Sequence, residues 1–239
     1  MEATQLTTEL FELFQRIESS FKSTQLGLNR WYLLVIGTVS GSPDPTVAAA
    51  LYTYLIRQDS YQTSESRKLL VRRLREALIM TFPIAGACKP LEAVLAIAEL
   101  ERPEDRDYST TRTGWQADGS NHERGVRWFE RLYARNASET LQLFDAHKDI
   151  SWISIDITYG FYLSDRQVFD DIDTQIVVLP AIMSQNMALG ARWHLRGTRR
   201  IGVSKKDVQV IWDAVMEISR YLGMKLDKLP TVEDVEPDV

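Results

Sequence analysis

The sequence predicts an all-α protein, and three of its features support this fold class. Apolar residues recur every three or four positions in most segments, which is the spacing of one face of a helix. Residues that cap or break helices stand between those segments. Segments in which apolar and polar residues alternate, as they do in a half-buried strand, are few.

In the first half of the chain, residues 8–21 have the clearest helical pattern, with one apolar face. The same spacing predicts four more helices, over residues 31–39, 46–57, 66–80 and 91–100. Pro83 and Gly86 follow the fourth of these. Proline lacks an amide donor and glycine lowers helix propensity, so we expect a kink or a break there.

In the second half, helices are predicted over residues 125–135, 138–145, 151–162, 174–187, 194–200 and 205–222. Ile153, Ile155 and Ile157 alternate with polar residues, so a strand remains an alternative for the third of these segments. The polar, charge-rich residues 101–122 are expected to link two halves. Residues 228–239 are acidic and proline-bearing, and we expect them to form a flexible tail.

The charge and cysteine content exclude several classes of function. The net charge is −5 without a concentrated basic patch, so nucleic acid is not an expected partner. Cys88 is the single cysteine and cannot form an internal disulfide, a dithiol redox centre or a zinc cluster. No metal-ligand spacing or glycine-rich nucleotide loop is present, so no cofactor is expected.

The hydropathy of the sequence also predicts where the protein is found. No apolar stretch approaches the roughly 20 residues that cross a bilayer, so no membrane partner is expected. The start of the chain lacks the basic and apolar pattern of a signal peptide. We therefore expect a cytoplasmic protein.

Residues 173–210 contain an apolar helix, then His-Leu-Arg-Gly, then Gly-Val-Ser at the start of another helix. This pattern resembles the core of the carboxymuconolactone decarboxylase/AhpD-like family. Residues 125–162 resemble the segments that precede this core in the family, and residues 75–92 resemble its other helix. The resemblance, which is to fungal-type members, implies a fold of helical hairpins that assembles as a homo-oligomer.

The resemblance also implies two fused, pseudo-repeated units. Residues 1–100 would form a degenerate N-terminal unit and residues 123–227 the C-terminal unit, joined by the linker 101–122.

The chain departs from the family where its peroxidases carry their chemistry. Those enzymes use a Glu, a Cys-x-x-Cys pair and a His on consecutive turns. Counting back from His194 places Gln175 at the Glu position, and Met187 and Gly190 at the cysteines. Glutamine cannot take a proton as a carboxylate does, and the other two cannot form a redox disulfide. Peroxidase activity by the family mechanism is therefore not expected.

The decarboxylase branch of the family also lacks the cysteines, and its resemblance makes His194 the candidate general acid or base. Glu76 is the candidate for the carboxylate missing at Gln175. Arg196 would bind a substrate carboxylate. Arg192 and Arg196 share a helix face that points away from His194, so the three residues cannot all line one cavity.

Aromatic residues supply further candidate substrate contacts, namely Tyr52, Tyr159, Tyr162 and Trp193. Together with Gln175 they would give a cavity apolar walls and a few polar groups, which suits a cyclic or aromatic ligand.

Structural roles remain open for the same residues. The aromatic residues would then be ordinary core and His194 an interior histidine. Glu76 would pair with Arg75 at the surface, and Cys88 would be an inert buried thiol.

The function predicted from these residues is that of a cofactor-independent small-molecule enzyme. It would act as a lyase, isomerase or cyclase on an organic acid, lactone or polycyclic metabolite, for example in secondary metabolism. The alternatives are a non-catalytic binding or scaffold protein on the same fold, and a thiol peroxidase that uses Cys88.

Overall fold

The computed structural model describes residues 4–239, and it confirms the all-α class because those residues contain no strand. The α-helices are α1 (Thr8–Phe21), α2 (Trp31–Gly41), α3 (Val47–Leu55), α4 (Ser64–Ala85), α5 (Cys88–Ala98), α6 (Gly119–Tyr133), α7 (Ala137–Gln142), α8 (Lys148–Trp152), α9 (Asp171–Met183), α10 (Ala188–Arg200), α11 (Lys205–Tyr221) and α12 (Val232–Val235). A π-helix, Ile153–Tyr162, continues α8.

Two apolar helices, α2 and α9, lie against each other at the centre of the core. Every residue of α2 is buried, as is most of α9, which is the pattern of helices surrounded by protein. Gly37 permits the close approach, because a Cβ there would overlap the carbonyl of Val177. Buried side chains from both halves of the chain form one hydrophobic cluster. The division into two pseudo-repeated units stays a prediction.

Helix α4 continues through Pro83 and ends one residue before Gly86. Pro83 lies in the last turn, where its missing amide removes a single backbone hydrogen bond. Gly86 then has φ of 79°, a left-handed conformation that side chains disfavour. The expected break is therefore at the glycine.

The predicted linker, residues 101–122, is tied to α4 by arginine–carboxylate pairs. Arg67 binds both carboxylate oxygens of Asp105, at 2.5 and 3.0 Å, and both side chains are buried. This pair holds the pKa of Asp105 below its usual range. Two further arginines of α4 bind the carboxylate of Asp107. The segment is thus a strap across α4 in this structure.

The π-helix crosses α6 at two glycines. A Cβ on Gly125 would overlap the carbonyl of Ile155 and lie 2.9 Å from the amide nitrogen of Gly160. The strand alternative for this segment is therefore wrong. Ile153 is 45% exposed, on the outer face of the helix. The alternation of apolar and polar residues arose because an apolar residue occupies this exposed position. π-helical segments often occur at functional sites, and this one carries Tyr159.

The last residues, predicted as a flexible tail, are packed against the body of the protein. Val232 and Val235 of α12 are each 1% exposed. Thr231 caps α12 with a reciprocal capping box. Glu236 accepts two hydrogen bonds from Arg199 of α10, at 3.0 and 2.7 Å. These contacts place residues 236–239 over one side of α10.

Candidate functional site

His194 lies in the interior, on the face of α10 that contacts α9. His194 is 7% exposed, and its Nδ1 atom lies 3.2 Å from the Oε1 atom of the fully buried Gln175. Thr198, one turn further along α10, lies 3.2 Å from the same Oε1 and 2.7 Å from the carbonyl of His194. Asp170 fixes the start of α9 through a capping box, which sets the position of Gln175.

Two tyrosines face the other side of the His194 ring. The Nε2 atom lies 3.5 Å from the hydroxyl of Tyr159, which lies 3.0 Å from the hydroxyl of Tyr133. Phe129 stacks on Tyr133 with ring centroids 4.1 Å apart, and Trp193 packs edge-on against it at 5.8 Å. We call His194, Gln175, Thr198, Tyr159 and Tyr133 the histidine–tyrosine cluster.

Burial keeps the ring of His194 neutral, because it lowers the pKa from 6.5 to about 4. The oxygen of Gln175 faces Nδ1, so Nδ1 carries the proton and Nε2 keeps its lone pair toward Tyr159. Burial raises the pKa of Tyr133 to about 12, although Arg196 acts in the opposite direction. Burial also raises the pKa of Tyr159. At neutral pH the histidine–tyrosine cluster is therefore an uncharged chain of hydrogen-bond donors and acceptors. Its one basic atom is Nε2 of His194.

The amide nitrogen of Gln175 is buried and has no hydrogen-bond partner. Such a donor costs free energy unless a ligand or water satisfies it. It marks the histidine–tyrosine cluster as incompletely satisfied by protein groups alone.

A group of cations lies next to the histidine–tyrosine cluster. Arg196 is 8% exposed, its Nε has no partner, and its closest carboxylate is Asp238 at 4.0 Å. Arg200 donates to the carbonyls of Tyr133 and Asp238. Arg135 donates to the carbonyl of Asp238 at 3.0 Å. We call Arg135, Arg196 and Arg200 the arginine cluster.

The arginines of the arginine cluster repel one another. Burial lowers the pKa of Arg200, and the charges of Arg196 and Arg135 lower it further. The arginine cluster therefore favours the binding of an anion. Residues 236–239 supply only part of the negative charge that would neutralise it.

Glu76 is the second predicted catalytic residue, and it is not among the hydrogen-bond partners of His194. The expected surface pair with Arg75 is wrong, because Glu76 is 3% exposed and its carboxylate binds Arg112 at 2.6 and 2.7 Å. Arg75 pairs with Asp107 instead. Arg112 also donates to the backbone carbonyl of Tyr162 at 3.2 Å. Glu76 thus joins α4 to the end of the π-helix.

The three predicted tyrosines lie in three different places. Tyr159 belongs to the histidine–tyrosine cluster, and Tyr162 stacks on Phe82 with ring centroids 6.3 Å apart. Tyr52 is 1% exposed and lies beside the pair of Arg67 and Asp105; burial raises its pKa to about 12. The structure does not place Tyr52 with His194.

Two members of the histidine–tyrosine cluster were not predicted from the sequence. Thr198 was detectable, since it lies four residues after His194 on the same helix. Tyr133 was not, because it reaches Tyr159 from a different helix at no fixed spacing.

Cys88 is exposed at the first position of α5, so the expectation of a buried thiol is wrong. Over residues 4–239, no three His, Cys, Asp or Glu side chains come together in a way that would hold a metal ion. In the same part of the chain, no helix is long and apolar enough to cross a membrane.

Comparisons with known proteins give distant relatives. No family model and no solved structure matches the chain. Peroxisomal protein 2 of Schizosaccharomyces pombe is 25% identical over 154 residues, which cover 64% of this chain and 71% of that protein. Peroxisomal protein 2 of Saccharomyces cerevisiae is 19% identical, over 82% of this chain and 89% of that protein.

Proposed function

We propose that this chain is a cofactor-independent enzyme that moves a proton on an organic acid, lactone or polycyclic metabolite. One observation supports this most strongly. The buried, neutral His194 is held at Nδ1 by Gln175 and offers its free Nε2 to a chain of two tyrosine hydroxyls. Fixed orientation and a free lone pair are what a general base requires.

The proton would travel along that chain. A proton that leaves a substrate carbon passes to the oxygen of Tyr133 as Tyr133 gives its own proton to Tyr159, and Tyr159 gives its proton to Nε2 of His194. Return of the proton to another atom of the substrate completes an isomerisation or a cyclisation. In a decarboxylation, the same chain protonates the carbon from which CO2 leaves.

The arginine cluster would bind the substrate's carboxylate. Arginine binds carboxylates through paired, charge-assisted hydrogen bonds. In the proposed complex, this carboxylate replaces that of Asp238, so residues 236–239 move away from α10. An anion near His194 also favours the imidazolium and brings its pKa closer to neutrality.

The experiment compares wild-type protein with Tyr159→Phe on a metabolite extract, with products resolved by mass spectrometry. Tyr52→Phe is the matched control, because it removes the hydroxyl of a buried tyrosine outside the cluster. Products made by wild type and Tyr52→Phe, and absent with Tyr159→Phe, would support the proposal. Loss of CO2 indicates a decarboxylase, and a change of retention at constant mass indicates an isomerase or cyclase. Identical extracts with all three proteins would refute it.

A non-catalytic binding or scaffold protein is the second candidate function. It is favoured by the tight enclosure of His194 and by Met187 and Leu189, which are each 58% exposed near the start of α10. Association of copies through such a surface would give the homo-oligomer that the family resemblance implies, and light scattering of the purified chain tests it. The thiol peroxidase alternative is tested by peroxide consumption, which Cys88→Ser would abolish.

We also propose that the chain is found in peroxisomes and not in the general cytoplasm. The support is that two distant relatives carry the name peroxisomal protein 2. Fluorescent fusions imaged beside a peroxisomal marker test this, with the fluorophore placed at either end in separate strains. Coincident puncta are expected, and diffuse fluorescence from both fusions would contradict the proposal.

A further inference from the structure

An open groove lies between α6 and the segment that follows the π-helix. It has a volume of about 570 Å³, and Trp115, Arg124, Trp128, Asp165 and Arg166 are among the residues that line it. A neighbouring depression of about 630 Å³ shares Arg166 with it. Volumes of this size accommodate an organic molecule larger than a single ion. We call the first of these the tryptophan groove.

The charge of the tryptophan groove is incompletely neutralised. Arg131 and Arg166 both pair with Asp171, at 3.0 and 2.7 Å. Arg127 also lines the groove and is 3.6 Å from Glu123, with both side chains mostly exposed. Shared and exposed pairs of this kind leave the arginines available to a further anion.

Arg124 is the least neutralised of these cations. It forms no ion pair within the described part of the chain. Its guanidinium donates to Ser164, Ser120 and Asn121 at 3.4, 3.2 and 3.5 Å, which are long contacts with neutral oxygens. It lies over the ring of Trp115, 4.6 Å from the ring centroid, and this contact holds it at the groove.

Two buried polar atoms of the groove's lining residues have no hydrogen-bond partner. Trp128 is 4% exposed and its Nε1 is unpaired. Asp165 is 2% exposed and its Oδ2 accepts no hydrogen bond, with Arg112 3.6 Å away; this oxygen is an acceptor, so an anion does not satisfy it. An indole N–H can only donate, so it is satisfied only by a group that brings an acceptor. Buried polar groups without partners are rare in folded proteins.

We propose that the tryptophan groove binds an organic anion, whose carboxylate or phosphate oxygens accept hydrogen bonds from Arg124 and from Nε1 of Trp128. Both head groups present the oxygens that a guanidinium recognises, and the rings of Trp115 and Trp128 contact the apolar body of the ligand. This site is separate from the histidine–tyrosine cluster and does not depend on the proposed catalytic function.

The experiment follows the indole N–H signals of the full chain by NMR while an anion is added. The chain has six tryptophans, and Trp128→Phe assigns the signal of interest. The probes are phenyl phosphate and benzoate, which separate the two head groups, and benzyl alcohol, which has the same ring without a charge. Saturable shifts of the Trp128 signal are expected with at least one anion and not with the alcohol.

Two arginine variants locate the bound anion. Arg124→Gln should weaken binding by about tenfold, which is the usual loss for a charge-assisted hydrogen bond. Arg220→Gln, on the exposed face of α11, should leave it unchanged. If Arg124→Gln folds poorly, Arg124→Lys replaces it in the test. This variant keeps the charge and should retain part of the affinity.

The proposal would be overturned by no saturable shift with either anion, by equal shifts with benzyl alcohol, or by equal affinity of wild type and Arg124→Gln. Binding that is lost in Arg196→Gln and kept in Arg124→Gln would place the anion at the arginine cluster, which also overturns it.

Discussion

The side-chain oxygen of Gln175 lies 3.2 Å from Nδ1 of His194, and the two residues are nineteen positions apart on consecutive helices of the core. The family resemblance proposed from the sequence places Gln175 where the family's peroxidases have a glutamate. The glutamine keeps the hydrogen bond and removes the negative charge, so burial alone determines the pKa of His194.

Gln175→Glu should therefore raise the pKa of His194 by about 1 to 3 pH units, because a nearby carboxylate favours the imidazolium. NMR titration of the ring signals measures this. Gln5→Glu adds the same charge at an exposed position and serves as the control. An unchanged pKa in Gln175→Glu would show that the two side chains do not interact as described.

Acid should destabilise the protein through His194. Its pKa lies at about 4 in the folded protein and near 6.5 when unfolded, so the unfolded chain binds the additional proton between these values. Stability is then full above pH 6.5 and falls by about 3 kcal/mol as the pH approaches 4. Urea unfolding over this range should show a smaller loss in His194→Gln, whereas the exposed His147→Gln should follow wild type. Parallel curves for His194→Gln and wild type would contradict the assignment.

Much of the fold could be predicted from the sequence because its helices follow local rules. Residues 8–21 form α1 as expected, and Ser204 caps α11 with a hydrogen bond at 3.1 Å. The strap 101–122 is mostly exposed, as its polar composition predicts. The arginine pairs that tie Asp105 and Asp107 to α4 join residues far apart in the sequence, so no local pattern reveals them. The partner of a buried charge such as Glu76 lies 36 residues away, so no local pattern reveals it.

The candidate site was predicted only in part, because several of its members come from separate elements of the fold. The proposed family resemblance selected Gln175 and His194, because it implies a spacing of nineteen residues between them. Tyr133 and the arginine cluster depend on how α6, α10 and residues 236–239 pack together, and no periodicity in the sequence encodes that packing.

Breaking the pair of Glu76 and Arg112 should cost stability. Glu76→Gln leaves the guanidinium buried without its main counter-charge, and such losses are typically about 3–5 kcal/mol. Chemical unfolding measures the difference from wild type. Glu12→Gln, at an exposed site on α1, should change it by less than about 0.5 kcal/mol.

The same substitution should loosen the strap. Limited proteolysis should cleave near Arg112 faster in Glu76→Gln than in wild type, since the carboxylate no longer holds that part of residues 101–122. Equal stability and equal cleavage rates would show that the pair contributes nothing to holding the strap.

The crossing of α6 and the π-helix should not tolerate a methyl group. Gly125→Ala places a Cβ against the carbonyl of Ile155, so the helices must separate and the melting temperature should fall by several degrees. Gly119→Ala adds the same group to α6 where no atom lies within 4 Å, and it should melt like wild type. Thermal unfolding by circular dichroism compares the two variants. Similar melting of both would mean that the crossing is looser than described.

The most direct test of the proposed function is proton exchange. The protein is incubated in D2O with a metabolite extract, and the compounds that gain deuterium at carbon are identified by mass spectrometry. Wild type and Tyr52→Phe are expected to label the same compounds. His194→Gln and Tyr159→Phe are expected not to label them, although both keep the helical circular-dichroism signal. Labelling that persists in His194→Gln would contradict the role of His194 as the base.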